Sequence, residues 1–193
     1  MFDRTQWVLT GMSIVLSVQL SQPVAAAVPV GKVVQTAQTN SNEAAAKAFT
    51  EGAQLYNQGT AEAKKGALIK FEQALKLYRG AGDNKGQALS LFSLSKVYSE
   101  LGEKQKALEY YSQSLPLFRT MGDRGGEART LNNIGLVYSE LGEEQKALEY
   151  YNQSLPLFRT MGDRGGEAST LNNIGSVYSE LGEGQKALEY YSQ

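Results

Sequence analysis

Neither cysteine nor histidine occurs in this 193-residue chain. The first absence removes thiolate nucleophiles, iron–sulfur clusters and disulfides, and the second removes imidazole bases. Together they remove the usual zinc ligands. Carboxylates, lysine and serine alone are a thin basis for chemistry, so the expectation is no enzyme, no metal and no cofactor. A basic excess is lacking too: 19 Lys and Arg stand against 20 Asp and Glu, net −1. That gives no electrostatic footprint for nucleic acid or anionic lipid. No run is long enough for a stable bilayer span. The apolar stretch from Trp7 to Leu20 has 14 residues, short of the roughly 20 that a span requires.

That stretch nevertheless has an order of its own. Arg4 precedes it, Pro23 follows it, and Ala25 and Ala27 make an A-x-A pattern. A positive start, a short apolar run and small residues at a cleavage point read as a secretory signal peptide over residues 1–27, with export to a periplasm or the exterior. A membrane anchor and a buried N-terminal helix are the competing readings; the length opposes the first and Pro23 the second. Residues 28–43 are small and polar without a helical stripe and read as a flexible linker.

What the chain does have is repetition. Tyr98, Tyr138 and Tyr178 recur at a spacing of 40, as do Ala107, Ala147 and Ala187, and segments 88–127 and 128–167 agree at 31 of 40 positions. A diverged copy covers about 46–87, and a shortened one covers 168–193. Such a period marks a solenoid, in which each unit buries its apolar face only by stacking on a neighbour. In the third copy Leu131, Ile134, Tyr138 and Leu141 make one helical stripe. Gly142 closes that helix, and Glu143 and Glu144 open the next. Ala147, Leu148, Tyr151, Leu155 and Phe158 make a second stripe, which Gly162 closes before Asp163 caps a further helix. Each unit is therefore an antiparallel helix hairpin. Pro116 and Pro156 fall inside the second helix, where a proline is expected to bend the axis.

Leu131, Ile134, Gly135, Tyr138, Ala147, Tyr151 and Ser154 alternate bulky, small and aromatic in an order that resembles the tetratricopeptide repeat. Ser95, Gly175 and Ala53 hold the small slot of the first helix in the other copies. The resemblance covers roughly 46–193 and implies an all-α fold: a right-handed superhelical α-solenoid within residues 44–193. The 40-residue unit departs from the usual shorter repeat. It looks like the long repeats of kinesin light chains, cell-polarity adaptors and bacterial, especially cyanobacterial, multi-repeat proteins.

Motifs that suggest chemistry have plainer readings. GDRGGE lacks the Gly-Lys-Ser/Thr ending of a phosphate loop and serves as an inter-repeat turn. In Tyr110–Tyr111, Tyr150–Tyr151 and Tyr190–Tyr191, one ring is expected in the core and the other against the next repeat. Function is left to the inner face, formed by the first helix of each hairpin. The residues there are Phe92 and Lys96 in the second copy, Asn132, Asn133, Leu136 and Glu140 in the third, and Asn172, Asn173, Ser176 and Glu180 in the fourth. Adjacent asparagines are poor helix formers. Their amides both donate and accept, which suits a bound peptide backbone, and in related repeats asparagines on this face grip peptide chains. Bonding within the stack is the alternative for all four.

The final helix is expected to lack its cover beyond Gln193, which leaves self-association through that end open. The expected function is thus a scaffold that binds a protein or an extended peptide in its concave groove. The resemblance also implies an alternative: the partner-binding arm of a CHAT-type caspase-like peptidase whose catalytic domain is not in this chain.

Overall fold

A computed structural model describes the backbone from residue 30 and side chains from residue 39. The expected signal peptide, residues 1–27, lies outside the described residues. Within them the chain forms eight helices and no strand: α1 (Val30–Tyr56), α2 (Ala61–Ala81), α3 (Asn84–Glu100), α4 (Lys104–Met121), α5 (Arg124–Glu140), α6 (Glu144–Met161), α7 (Arg164–Glu180) and α8 (Gly184–Tyr191). They pair as four hairpins, and each helix touches only helices one or two places away in the chain. This is an all-α solenoid. None of these helices is long and apolar enough to cross a membrane.

Local chemistry sets the hairpin limits. Asp83, Asp123 and Asp163 each accept a hydrogen bond from the backbone N–H three residues on, at 2.8–2.9 Å, which satisfies a donor that the helix start leaves free. The preceding helices end on Gly122 and Gly162 at φ +67° and +68°, a left-handed conformation that only glycine takes without a steric cost. Asp163 N–H then reaches back to the Phe158 carbonyl at 3.0 Å, and Asp123 N–H to that of Phe118 at 2.9 Å. The turn read from GDRGGE thus closes one helix and opens the next.

Two features differ from the sequence reading. The expected linker, residues 28–43, is helical from Val30 onward. Packing fixes the Ala45 and Ala48 end of α1 in the core, and extending a nucleated helix backwards through residues such as Gln and Ala costs far less than starting one. Polar composition without a stripe did not reveal this. The second tyrosine of each pair also stacks within its own repeat. Tyr98 and Tyr110 lie 5.3 Å apart at 6°, Tyr138 and Tyr150 5.5 Å apart at 14°, and Tyr178 and Tyr190 5.4 Å apart at 17°. Lys106, Lys146 and Lys186 cover the outer ring face at 5.1–5.2 Å, a favourable cation–ring contact.

The core follows the two stripes. Leu131, Ile134 and Val137 of α5 pack with Tyr111 and Leu115 of α4, while Tyr151 and Leu155 of α6 pack with Leu171 and Ile174 of α7. The small slot does what its size implies. A Cβ on Gly135 would lie 2.7 Å from the Tyr151 ring and 3.1 Å from the Ala147 carbonyl oxygen, so only glycine lets α5 and α6 come this close. Helices α4 and α6 run unbroken through Pro116 and Pro156. Both prolines are exposed, so the carbonyls they leave unpaired face water.

Candidate functional site

The first helices of the hairpins, α3, α5 and α7, carry the face singled out in the sequence. None of its ten candidate residues is buried: Leu136, Glu140, Asn172 and Glu180 are exposed, and the other six half-buried. α5 and α7 differ at two positions only, Arg129/Ser169 and Leu136/Ser176, and both belong to this face. By contrast, α4 and α6 also differ at two positions, Lys104/Glu144 and Ser112/Asn152, neither of them in the core.

Three cavities run along the face and meet at one side chain. The first, 160 Å³, lies between α1, α2 and α3 and is walled by Tyr56, Phe71, Phe92 and Lys96. A small one of 80 Å³ is bounded by Lys96, Glu100, Asn133 and Leu136. The third, 350 Å³, is bounded by Phe92, Lys96, Arg129, Asn132, Asn133 and Ser169. Lys96 borders all three. Its Nζ sits 5.2 Å from the centre of the Tyr56 ring. Phe92 is braced edge-on by Tyr111 at 5.9 Å and Phe118 at 6.3 Å, so its ring is a fixed wall.

The asparagines have distinct surroundings. Asn132 Oδ1 accepts from Thr170 Oγ1 at 3.1 Å and from Asn173 Nδ2 at 3.3 Å, so these two asparagines are joined within the stack. Asn133 lies against the Tyr111 hydroxyl. Burial raises the Tyr111 pKa and the Asn133 hydrogen bond opposes that rise. Asn172 stays exposed. Each amide still has unused capacity, because a carboxamide carries two donors and two acceptor sites.

The acids of the face behave as ties between repeats. Glu100 pairs with Lys64 at 2.9 Å and accepts the Tyr56 hydroxyl, and Glu140 pairs with Lys104, whose Nζ also donates to the Ser99 carbonyl at 2.9 Å. Burial raises the Glu100 pKa, but the Tyr56 hydroxyl and Lys64 outweigh it and hold the carboxyl below its ordinary value. At the third junction the lysine position holds Glu144, and Glu180 instead accepts from Ser176 Oγ at 3.2 Å. Glu140 is therefore a tie as well as a groove residue.

The structure brings Phe92, Lys96, Asn132, Asn133 and Leu136 together around connected cavities. Glu140, Asn172, Ser176 and Glu180 lie on the same face beyond that cluster. Sequence reasoning missed Tyr56 and Phe71 as groove walls, because both were read only as alignment markers of the diverged first copy. The signal was Phe92 itself, an aromatic where later copies have asparagine.

The profile of the tetratricopeptide repeat family matches residues 65–120 and 126–193. Among curated proteins none matches. Solved structures do. The apo form of RapI superposes with a TM-score of 0.71 at 22% identity, over 77% of this chain and 53% of RapI. Aspartyl phosphate phosphatase F from Bacillus subtilis gives 0.73 at 18%, over 83% and 43%. The Rap conjugation gene regulator of the plasmid pLS20, solved in complex with the Phr* peptide, gives 0.65 at 18%, over 78% and 40%. The chain thus spans about half the length of the structures it matches, and at these identities the likeness is one of fold.

Proposed function

We propose, from the premise that the chain belongs to the tetratricopeptide repeat family, that it is a non-catalytic scaffold holding a protein or extended peptide along α3, α5 and α7. The observation that carries this reading is the placement of variation. Where α5 and α7 differ, at Arg129/Ser169 and Leu136/Ser176, the difference falls on the inner face, while the packing residues stay the same. A surface that reads a partner must vary where the stack must not. The connected cavities along that face supply the concavity a ligand needs, and a fold relative solved with a peptide bound supports an extended chain as the occupant.

Two finer readings accompany it. The 40-residue spacing of Asp83, Asp123 and Asp163 favours the long-repeat class, and the order of Arg4, the Trp7–Leu20 run and Ala25-x-Ala27 favours export. Export is tested by the N-terminal sequence of the protein recovered from its host; a mature start near Val28 is expected, and an intact Met1 in the cytosol would refute it. The groove is tested by capture. Asn132, Asn133, Asn172 and Asn173 replaced together by alanine should weaken retention of partners while the helical signal persists, and undiminished retention would remove the inner face from the account.

A further inference from the structure

The groove is not uniform along its length, and the gradient specifies a ligand; this step rests on the reading above. At the α1–α3 end the walls are aromatic: Tyr56, Phe71 and Phe92. At the α5–α7 end the lining turns to amides and hydroxyls, Asn132, Asn133 and Ser169. Between them stand the only two cations that border these cavities, Lys96 and Arg129. Neither is in an ion pair, whereas Lys64 and Lys104 close by are each held by a glutamate. The acids at the same cavities are already engaged: Glu100 with Lys64 and the Tyr56 hydroxyl, and Asp163 with the Gly166 N–H at 2.9 Å. The residual charge at the middle of the groove is therefore positive, beside a rigid apolar wall.

We infer that the ligand is an extended peptide segment with a large apolar side chain in the Tyr56–Phe71–Phe92 pocket and, within about three residues, an Asp or Glu side chain between Lys96 and Arg129. A charge-assisted hydrogen bond to an acid is among the stronger polar contacts available to such a site. The acid is a side chain of an internal residue, because cavities continue on both sides of Lys96 and the ligand's backbone passes through. Beyond it the segment is small and polar, held through its backbone by the Asn132 and Asn133 amides.

The test is an array of random peptides of roughly twelve residues probed with the full chain, followed by fluorescence anisotropy on the best binder. Bound peptides should be enriched in Phe, Trp or Leu followed within about three positions by Asp or Glu. Lys96→Glu should weaken the best binder about tenfold, the effect of losing one charged contact, and replacing the peptide's acid by lysine should restore part of it. Arg129→Ser, which writes into α5 the residue found in α7, should weaken it less. Amidating the peptide's C-terminus should change nothing. Peptides that bind without an apolar–acidic preference, or that ignore Lys96→Glu, overturn this inference and leave the groove reading standing. Affinity that vanishes on amidation assigns the cations to a chain terminus and overturns it as well. If the wild-type chain binds no peptide at all, the groove reading falls and the inference with it.

Discussion

The outer and inner helices of this stack follow different rules. Outer α4 and α6 are almost the same word, and the contacts they make repeat with it: the Tyr98–Tyr110 stack returns as Tyr138–Tyr150, Lys106 as Lys146, and the Arg79–Gln113 bond at 3.0 Å as Arg119–Gln153 at 3.4 Å and Arg159–Gln193 at 3.0 Å. Inner α3 and α5 keep the core stripe but exchange Leu89 for Arg129, Phe92 for Asn132, Ser93 for Asn133 and Lys96 for Leu136. Sameness on one layer maintains the stacking geometry. Difference on the other gives each repeat its own stretch of groove.

The comparison breaks most severely in the outer layer. Tyr151→Ala removes a ring that is 1% exposed and should cost about 3–5 kcal/mol, read as a lower urea midpoint. A smaller effect is expected at Gly126, where a Cβ would stand 2.2 Å from the Phe118 ring. Gly126→Ala should destabilise by about 1–3 kcal/mol through overpacking. The neighbouring Gly125→Ala, whose Cβ meets nothing closer than 3.5 Å, should be neutral or gain up to about 1 kcal/mol from helix propensity; paired thermal melts decide this, and equal effects would refute the close-approach argument. Asp123→Ala should lose about 0.5–2 kcal/mol with the helix cap. On the inner side, Lys96→Glu and Arg129→Ser should move the melt by no more than about 0.5 kcal/mol, even though they are the binding variants. A large loss of stability there would mean that the two layers do not divide the work.

The smallest effect is one of pH. Glu100 has a depressed pKa in the folded protein, so its contribution is fully present above the ordinary carboxylate value and fades as pH falls through the folded one. Acid titration of the melting point should therefore be flatter for Glu100→Gln than for the wild type below about pH 4.5. An unchanged acid limb would show that the tie to Lys64 and Tyr56 does not matter to folding.

Much of the fold was legible because it rests on local signals. Asp163, Gly162 and the Leu131–Ile134–Tyr138 spacing fix hairpin limits within a few residues of sequence, and repetition shows each signal several times. The backward extension of α1 was not legible, since cooperative propagation depends on packing at Ala45 and Ala48 and leaves no periodic mark. In the groove, helical phase placed Phe92, Lys96 and the asparagines on one face correctly. It could not show that Asn132 bonds Asn173 across the junction, that Glu140 is tied to Lys104, or that Tyr56 leans into the trough. Those depend on how consecutive repeats are offset, a quantity no single helix encodes.

The ties between repeats run out along the chain, and this grades the molecule's motion. Lys64–Glu100 and Lys104–Glu140 clamp the first two junctions, while Glu144 at the third offers Glu180 no positive partner. In a stack where only neighbours touch, opening spreads from its least restrained joint. The α7–α8 hairpin should thus swing free while the rest stays closed, with its amide protons exchanging ahead of those in α3 and α4. A ligand engaging Asn132 and Ser169 together would close that swing, so arrival of the partner would be felt as a slowing of exchange at the far hairpin.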